Sequence, residues 1–214
     1  MVNSTKMFAQ SARLIADVAR NPTPLPSGMD RWFSYCEEVA PEEKPLWARL
    51  RKLDFEKDAD NLTRWLKRLV KSEPPPTSIN GLWFGLHNPE LPDGAPTCQM
   101  YVGGSGAFDP RSNSNEWVCE LSWMPKGRYS KSQILTDLYR PVEAIMKNQV
   151  SYLGEAFLCH GYLALVVSNW CNGPMRAALL GNAPVRAVVI GHDSGDFYRM
   201  AVLTAERDAS TADS

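Results

Sequence analysis

Residue types capable of catalysis are sparse in this chain, and the most suggestive set is a serine among three glycines. The segment YVGGSGAFDP, residues 101–110, follows a strand-like run. A phosphate-binding loop needs a helix directly after its glycines, and here Asp109-Pro110 and a turn-like RSNSN follow. A serine nucleophile turn needs glycine two residues after the serine, where this chain has Ala107. We therefore interpret the glycines as a strand end or bulge.

A second set lies in one predicted hairpin turn. His192, Asp193 and Asp196 could together contact a metal ion or serve an enzyme. Asp-Ser-Gly-Asp is also typical of a plain turn, and three such side chains on a tight turn rarely converge. We predict no metal site, no cofactor and no catalytic residue. An enzyme of unrecognised type, using these residues or a cleft near Ser105, stays the alternative.

The five cysteines form an odd-numbered set without a C-x-x-C pair. That spacing fits neither a disulfide framework nor a zinc site. Buried free thiols in a reducing compartment explain them better. His160 lies in the most apolar segment of the chain, and we interpret it as a core residue.

The composition is typical of a soluble globular protein, with 214 residues, 44% hydrophobic and 22% charged. A formal net charge of −1 supplies no positive field to attract nucleic acid. The longest apolar run, Tyr162 to Val167, is too short to span a bilayer. The N-terminus lacks the apolar stretch of a secretory signal. We expect a cytoplasmic protein without nucleic-acid or membrane partners, and the oligomeric state is left open.

The elements predict a single α+β domain over residues 1–206 and a flexible C-terminal tail over 207–214. Because regular β–α–β alternation is missing, we expect a largely antiparallel sheet of about five strands with helices packed on it. Asp54 is the expected N-cap of one helix, Ser130 and Gln133 form the expected capping box of another, and Pro141 should kink the latter. The predicted helices cover 3–20, 29–39, 55–71, 152–170 and a segment from 130, and the predicted strands cover 79–88, 97–105, 115–123, 184–191 and 197–206. A strand at 163–168 is the alternative within the fourth of these helices.

Five segments carry a resemblance: LDFEKDADNLTRWLKRL (53–69), EPPPTSINGLWFGLHNP (73–89), MYVGGSGAFD (100–109), WMPKGRYSKSQILTDLYR (123–140) and AVVIGHDSGDF (187–197). Taken in order, they resemble a family of uncharacterised bacterial proteins of about this size. Such proteins are associated with immunity proteins of polymorphic toxin and contact-dependent or type VI secretion systems. The shared motifs are caps, turns and aromatic strands over roughly residues 45–200, so no catalytic residue is carried over. The resemblance implies a non-catalytic protein that binds and occludes a cognate toxin or effector.

Four residues are the candidates for contacting such a partner. Trp47 and Trp123 lie beside predicted loops and are candidates for exposed rings, because tryptophan is enriched at interfaces. Semi-buried packing is the alternative for each. Glu42 and Glu43 could belong to a negative face that docks a basic toxin domain. Scattered solvated charge explains the acids equally well. A structural or scaffolding role in a bacterial assembly is a further alternative.

Overall fold

The computed structural model describes residues 4–90, 94–95, 97–146, 152–193 and 195–205. Within these ranges the chain is α+β, with seven α-helices and one four-stranded sheet. The helices are α1 (Ser4–Arg20), α2 (Leu25–Val39), α3 (Lys44–Leu50), α4 (Phe55–Ser72), α5 (Gln133–Met146), α6 (His160–Asn172) and α7 (Arg176–Leu180). The strands are β1 (Gly81–His87), β2 (Gln99–Ser105), β3 (Val185–His192) and β4 (Asp196–Thr204). The predicted tail, 207–214, lies outside the described residues.

The sheet is mixed, with the strand order β2-β1-β3-β4. The predicted strands at 79–88 and 97–105 pair antiparallel as β1 and β2, and the predicted closing hairpin is confirmed as the antiparallel pair β3 and β4. The central strands β1 and β3 run parallel. The expected third strand at 115–123 is wrong, because Glu116–Cys119 forms a short 3-10 helix instead. That turn buries the adjacent residues Trp117 and Val118, which a strand would place on opposite faces. The sheet therefore has four strands among the described residues and not about five.

The two faces of the sheet are covered differently. Leu82, Phe84 and Leu86 of β1 point into the main core, beneath the helices. The alternate residue Trp83 points to the other face, where it packs in a smaller cluster with Phe108 and Trp117. The helix-covered face therefore holds most of the buried apolar surface, and the segment after β2 covers the opposite face.

Helix starts follow local capping chemistry. Asp54 caps α4 as predicted, accepting a hydrogen bond from the Lys57 backbone N–H at 3.1 Å. The predicted capping box at Ser130 is wrong, since that hydroxyl donates to the Met100 carbonyl. Ser132 takes the cap position, and its Oγ accepts from the Leu135 N–H at 3.0 Å.

The start of α2 also differs from the prediction, because it begins at Leu25 and not at residue 29. Pro26 lies in its first turn, where the missing N–H leaves no hydrogen bond broken. In α5, Pro141 lies inside the helix, as predicted.

The buried segment at 152–170 is helical, which excludes the alternative strand at 163–168. Its first part, Leu153–Cys159, is a π-helix that continues directly into α6. A π-helix has more residues per turn than an α-helix and is frequently found at functional sites. The residues of α6 from His160 to Ser168 are all buried, so both faces of this helix pack against protein.

All five cysteines are free thiols, four of them buried and Cys119 exposed. In the part of the chain that the structure describes, no helix has both the length and the apolar character needed to cross a membrane.

Candidate functional site

The glycine-rich segment forms the end of β2, and its serine is buried. Ser105 is 1% exposed, and its Oγ accepts a hydrogen bond from the Ala107 N–H. Gly104 exchanges two backbone hydrogen bonds with Trp123, at 2.9 and 3.0 Å. A Cβ on Gly104 would lie 2.6 Å from Ile79 Cγ2 and 3.1 Å from Trp123 Cε3. The interpretation of the glycines as a place of close backbone approach is therefore confirmed.

Neither candidate tryptophan is exposed, so the alternative of packed rings holds for both. Trp47 is 0% exposed, and its Nε1 donates to the Ala40 carbonyl at 2.9 Å. Trp123 is 9% exposed and packs at the covered edge of β2. Their position next to loops did not reveal this, because the large apolar area of an indole favours burial wherever the core can reach it. Recognition through either ring would require the surrounding elements to open.

The two glutamates lie in the 3-10 helix Pro41–Glu43, immediately before α3. Glu42 is exposed and Glu43 is half-buried. Neither forms an ion pair with any of the described residues. Their negative charge is therefore available to a partner.

Glu43 marks one end of a groove between α5 on one side and α3 with the start of α4 on the other. The groove consists of three adjoining depressions of about 400, 380 and 250 Å³. Neighbouring depressions share lining residues, Arg49 and Pro141 at one junction and Leu53 and Asp137 at the other. From Gln133 to Ile145 the groove follows α5 for about 18 Å, at a rise of about 1.5 Å per residue. We call it the α5 groove.

The α5 groove has an apolar floor and a charged rim. Leu46, Pro141 and Ile145 contribute apolar surface near the Glu43 end, and Ile145 is 40% exposed. Along the rim the charge is mixed, with Glu43 at one end, Arg49 and Arg140 in the middle, and Asp54, Lys57 and Asp137 toward the other end. Apolar centres with polar rims are typical of protein-recognition surfaces.

The predicted cluster in the closing hairpin does not converge. Asp193 accepts a hydrogen bond from the Tyr101 hydroxyl at 2.7 Å, whereas His192 turns to Glu155 of the π-helix. Asp196 is the backbone partner of His192 in the β3–β4 ladder. Among the residues described, no three His, Cys, Asp or Glu side chains are arranged to hold a metal ion.

His192 instead belongs to a cluster at the edge where the parallel strands β1 and β3 both end. After β1 the chain turns back into β2, and after β3 it turns back into β4. Strands β2 and β4 lie on opposite sides of the β1–β3 pair. We call the cluster of Asn88, Glu143, Glu155, His160 and His192 the His192 site.

The geometry of the His192 site orients its central ring. His192 Nε2 contacts Asn88 Oδ1 and lies 3.4 Å from Glu155 Oε1. Two oxygen acceptors at Nε2 favour the tautomer that carries its proton there. The His160 ring lies 6.4 Å from the His192 ring, between centroids, and is fully buried.

Burial controls protonation at this site. Burial, with the nearby Glu155 charge, raises the pKa of Glu143 to about 7. Burial, followed by the neighbouring His192, lowers the pKa of His160 to about 4, so this ring is neutral at physiological pH. Perturbed pKa values of this kind concentrate at functional sites.

The sequence did not indicate Glu143 and Glu155, because their proximity depends on how α5 packs against the π-helix. The one local signal was a glutamate within the apolar segment YLGEAFLCHGY, where a charged side chain costs free energy unless it is used or paired.

Comparisons with protein-family models, with curated proteins and with solved structures find no match. The resemblance to bacterial immunity proteins therefore stays a prediction.

Proposed function

We propose that the protein binds and occludes a protein partner, as the immunity proteins that it resembles do. The α5 groove is the observation that supports this proposal. It joins an apolar floor to a charged rim that begins at Glu43, beside the exposed Glu42. A standard protein interface buries about 800 Å² on each partner, so the groove serves as the centre of a larger contact.

The segment that fits the α5 groove is an amphipathic helix of the partner. Such helices place apolar side chains at positions i, i+3, i+4 and i+7 into a groove, and about 18 Å accommodates three turns. Glu43 at one end favours a basic residue at that end of the partner helix, and Arg49 favours an acidic residue opposite it.

The first prediction compares two substitutions on exposed apolar residues. Ile145→Arg should reduce capture of the partner from the native host by about tenfold or more, since it places a charge on the groove floor. Val202→Arg is the matched control, because Val202 is 42% exposed and Ile145 40% exposed, but Val202 lies on β4, outside the groove. Both variants should keep the native melting temperature.

Charge reversal at Glu42 and Glu43 tests their end of the groove separately. Glu42→Lys combined with Glu43→Lys should slow association and make it less sensitive to salt. A supporting result requires that the captured protein is toxic and that the native chain neutralises it. If a captured toxin binds the Ile145→Arg and Val202→Arg variants equally well, the α5 groove is not the recognition surface.

A further inference from the structure

Helix α4 lines a second surface depression, which shares none of the apolar floor residues of the α5 groove. Its volume is about 340 Å³, at the lower end of the range for small-ligand sites. The segment that precedes α5 forms its other wall, and the lining residues are Asn61, Arg64, Trp65, Arg68, Tyr129 and Lys131. We call it the α4 basic depression, because the described residues that line it include three cationic side chains and no acidic one.

The positive charge of the depression comes from two separate parts of the chain. Arg64 and Arg68 are one turn apart on α4, so they lie on the same face of the helix and repel each other. The helix dipole favours a cation near the end of α4, which accounts for Arg68. It does not account for Lys131, which belongs to the segment before α5. None of the ion pairs among the described residues includes these three side chains, so an anion in the depression would relieve their repulsion.

Hydrogen bonds hold the two walls of the depression together. Trp65 Nε1 donates to the Gly127 carbonyl at 3.0 Å, which ties α4 to the turn that leads to Tyr129. Glu73, just after α4, accepts from the backbone N–H groups of Lys126 and Gly127 at 2.7 and 3.1 Å. The walls are therefore positioned before a ligand arrives, which lowers the entropic cost of binding.

Tyr129 adds an aromatic surface beside these cations. The residue is 50% exposed, and the Arg128 guanidinium lies 4.6 Å from the centre of its ring. Proteins that bind single-stranded nucleic acid combine a positively charged groove with aromatic rings on which the bases stack. Arginine suits the phosphate, since its planar guanidinium donates paired hydrogen bonds to phosphate oxygens.

We propose that the α4 basic depression binds a nucleotide. Its base packs against the exposed Tyr129 ring, and its phosphate is held by Arg64, Arg68 and Lys131. An acidic peptide would use the positive charge and leave the ring without a stacking partner. A duplex fits less well, because its bases are stacked on one another and do not reach the ring.

The nucleotide is either free or a unit of a single strand, because both present the same base and phosphate. The net charge of −1, from which we expected no nucleic-acid partner, is a property of the whole chain. Ligand binding depends on the local field, and a cleft lined by one sign of charge concentrates that field.

The test uses AMP and a single-stranded oligoadenylate of about eight nucleotides as probes in titration calorimetry of the full chain. Adenosine lacks the phosphate and ribose 5-phosphate lacks the base, so each should bind at least about tenfold more weakly than AMP. Binding of AMP with an affinity close to that of the oligonucleotide identifies a free nucleotide as the ligand. Binding of the oligonucleotide alone, or at least about tenfold tighter, identifies a single strand.

Variants of the two arginines test the phosphate contacts. Arg64→Gln and Arg68→Gln should each weaken binding by about tenfold. Each should also reduce the slope of log K against log salt for the oligonucleotide by about 0.7. Arg13→Gln is the matched control, since Arg13 is exposed on α1, outside the depression, and should change neither quantity.

Tyr129 variants test the stacking contact. Tyr129→Ala should weaken binding of the nucleotide by about tenfold, whereas Tyr129→Phe keeps the ring and should bind as the native chain does. Tyr152→Ala is the control, because Tyr152 is 45% exposed and lies outside the depression. The Ile145→Arg variant should bind nucleotides normally, so this proposal and partner binding at the α5 groove can fail independently.

The proposal is overturned if neither probe binds, if AMP binds but ribose 5-phosphate binds equally well, or if folded Tyr129→Ala retains native affinity. It is also overturned if an oligoglutamate peptide of similar charge binds as well as oligoadenylate, since the depression would then be a docking surface for an acidic protein. Should a variant fail to fold, the comparisons with ribose 5-phosphate and oligoglutamate in the native chain still decide the question.

Discussion

Glu143 carries a stability effect of its own. The folded protein raises its pKa from the ordinary value of 4.5 to about 7, through burial and the Glu155 charge. The folded state therefore favours the protonated form. The stability that this provides is fully present below about pH 4.5 and is lost as the pH rises through about 7.

Glu143→Gln should remove this pH dependence. Because the carboxyl is only half-buried and solvent screens it, the expected effect is about 1–2 kcal/mol and not the full value of the shift. Urea unfolding should show that the free energy of unfolding of the variant rises by that amount, relative to that of the native chain, between about pH 4 and pH 8. Glu120→Gln changes an exposed carboxylate, so its free energy of unfolding should differ from that of the native chain by the same amount at every pH. A constant difference between Glu143→Gln and the native chain at every pH would contradict the raised pKa.

At the scale of elements, one buried carboxylate joins three helices. Asp58 of α4 is 7% exposed and accepts hydrogen bonds from Ser132 Oγ at 2.7 Å and the Gln133 N–H at 3.0 Å, where α5 begins. The Tyr162 hydroxyl of α6 donates to the same carboxylate at 2.8 Å. Since it satisfies N–H and O–H donors that burial removes from water, this carboxylate sets how α5 and α6 dock on α4.

Asp58→Ala should therefore destabilise the fold by about 3 kcal/mol, because it leaves buried donors without an acceptor. Asp60→Ala is the matched control, since Asp60 is exposed on the same helix and should change stability by less than about 0.5 kcal/mol. Tyr162→Phe should cost less than Asp58→Ala, because two of the three hydrogen bonds remain. Denaturant unfolding of the three variants measures these differences. Equal midpoints for Asp58→Ala and Asp60→Ala would contradict the bridging role.

At the scale of the whole molecule, local patterns predicted elements better than their arrangement. The cap at Asp54 and the apolar stripe of α4 identified that helix, and the turn between β3 and β4 identified the closing hairpin. The parallel pairing of β1 with β3 was not predictable, because it depends on where the intervening helices return the chain. The segment at 115–123 misled the prediction for a related reason: its aromatic residues pack against the sheet without joining it.

The sequence did not reveal the candidate sites either, because they too depend on how the elements are arranged. Glu143, Glu155 and His192 belong to three separate elements, and only tertiary packing brings them to one edge of the sheet. In the α5 groove, the sequence indicated Glu42 and Glu43 by charge alone. It could not show that Ile145, about a hundred residues further on, lies at the same end of the groove.

The closing hairpin should be indispensable to the fold, because β3 is a central strand only while β4 covers its outer side. The two strands pair from Val185 and Thr204 to His192 and Asp196, and Met200 and Leu203 of β4 lie in the main core. Truncation after Gly191 should expose the edge of β3 and give insoluble protein, since uncovered apolar edge strands pair between molecules. Truncation after Ala205, which retains all of β4, is the control and should give soluble protein with a cooperative thermal transition. A soluble fragment ending at Gly191 that melts cooperatively would show that the helices and the β1–β2 hairpin fold without it.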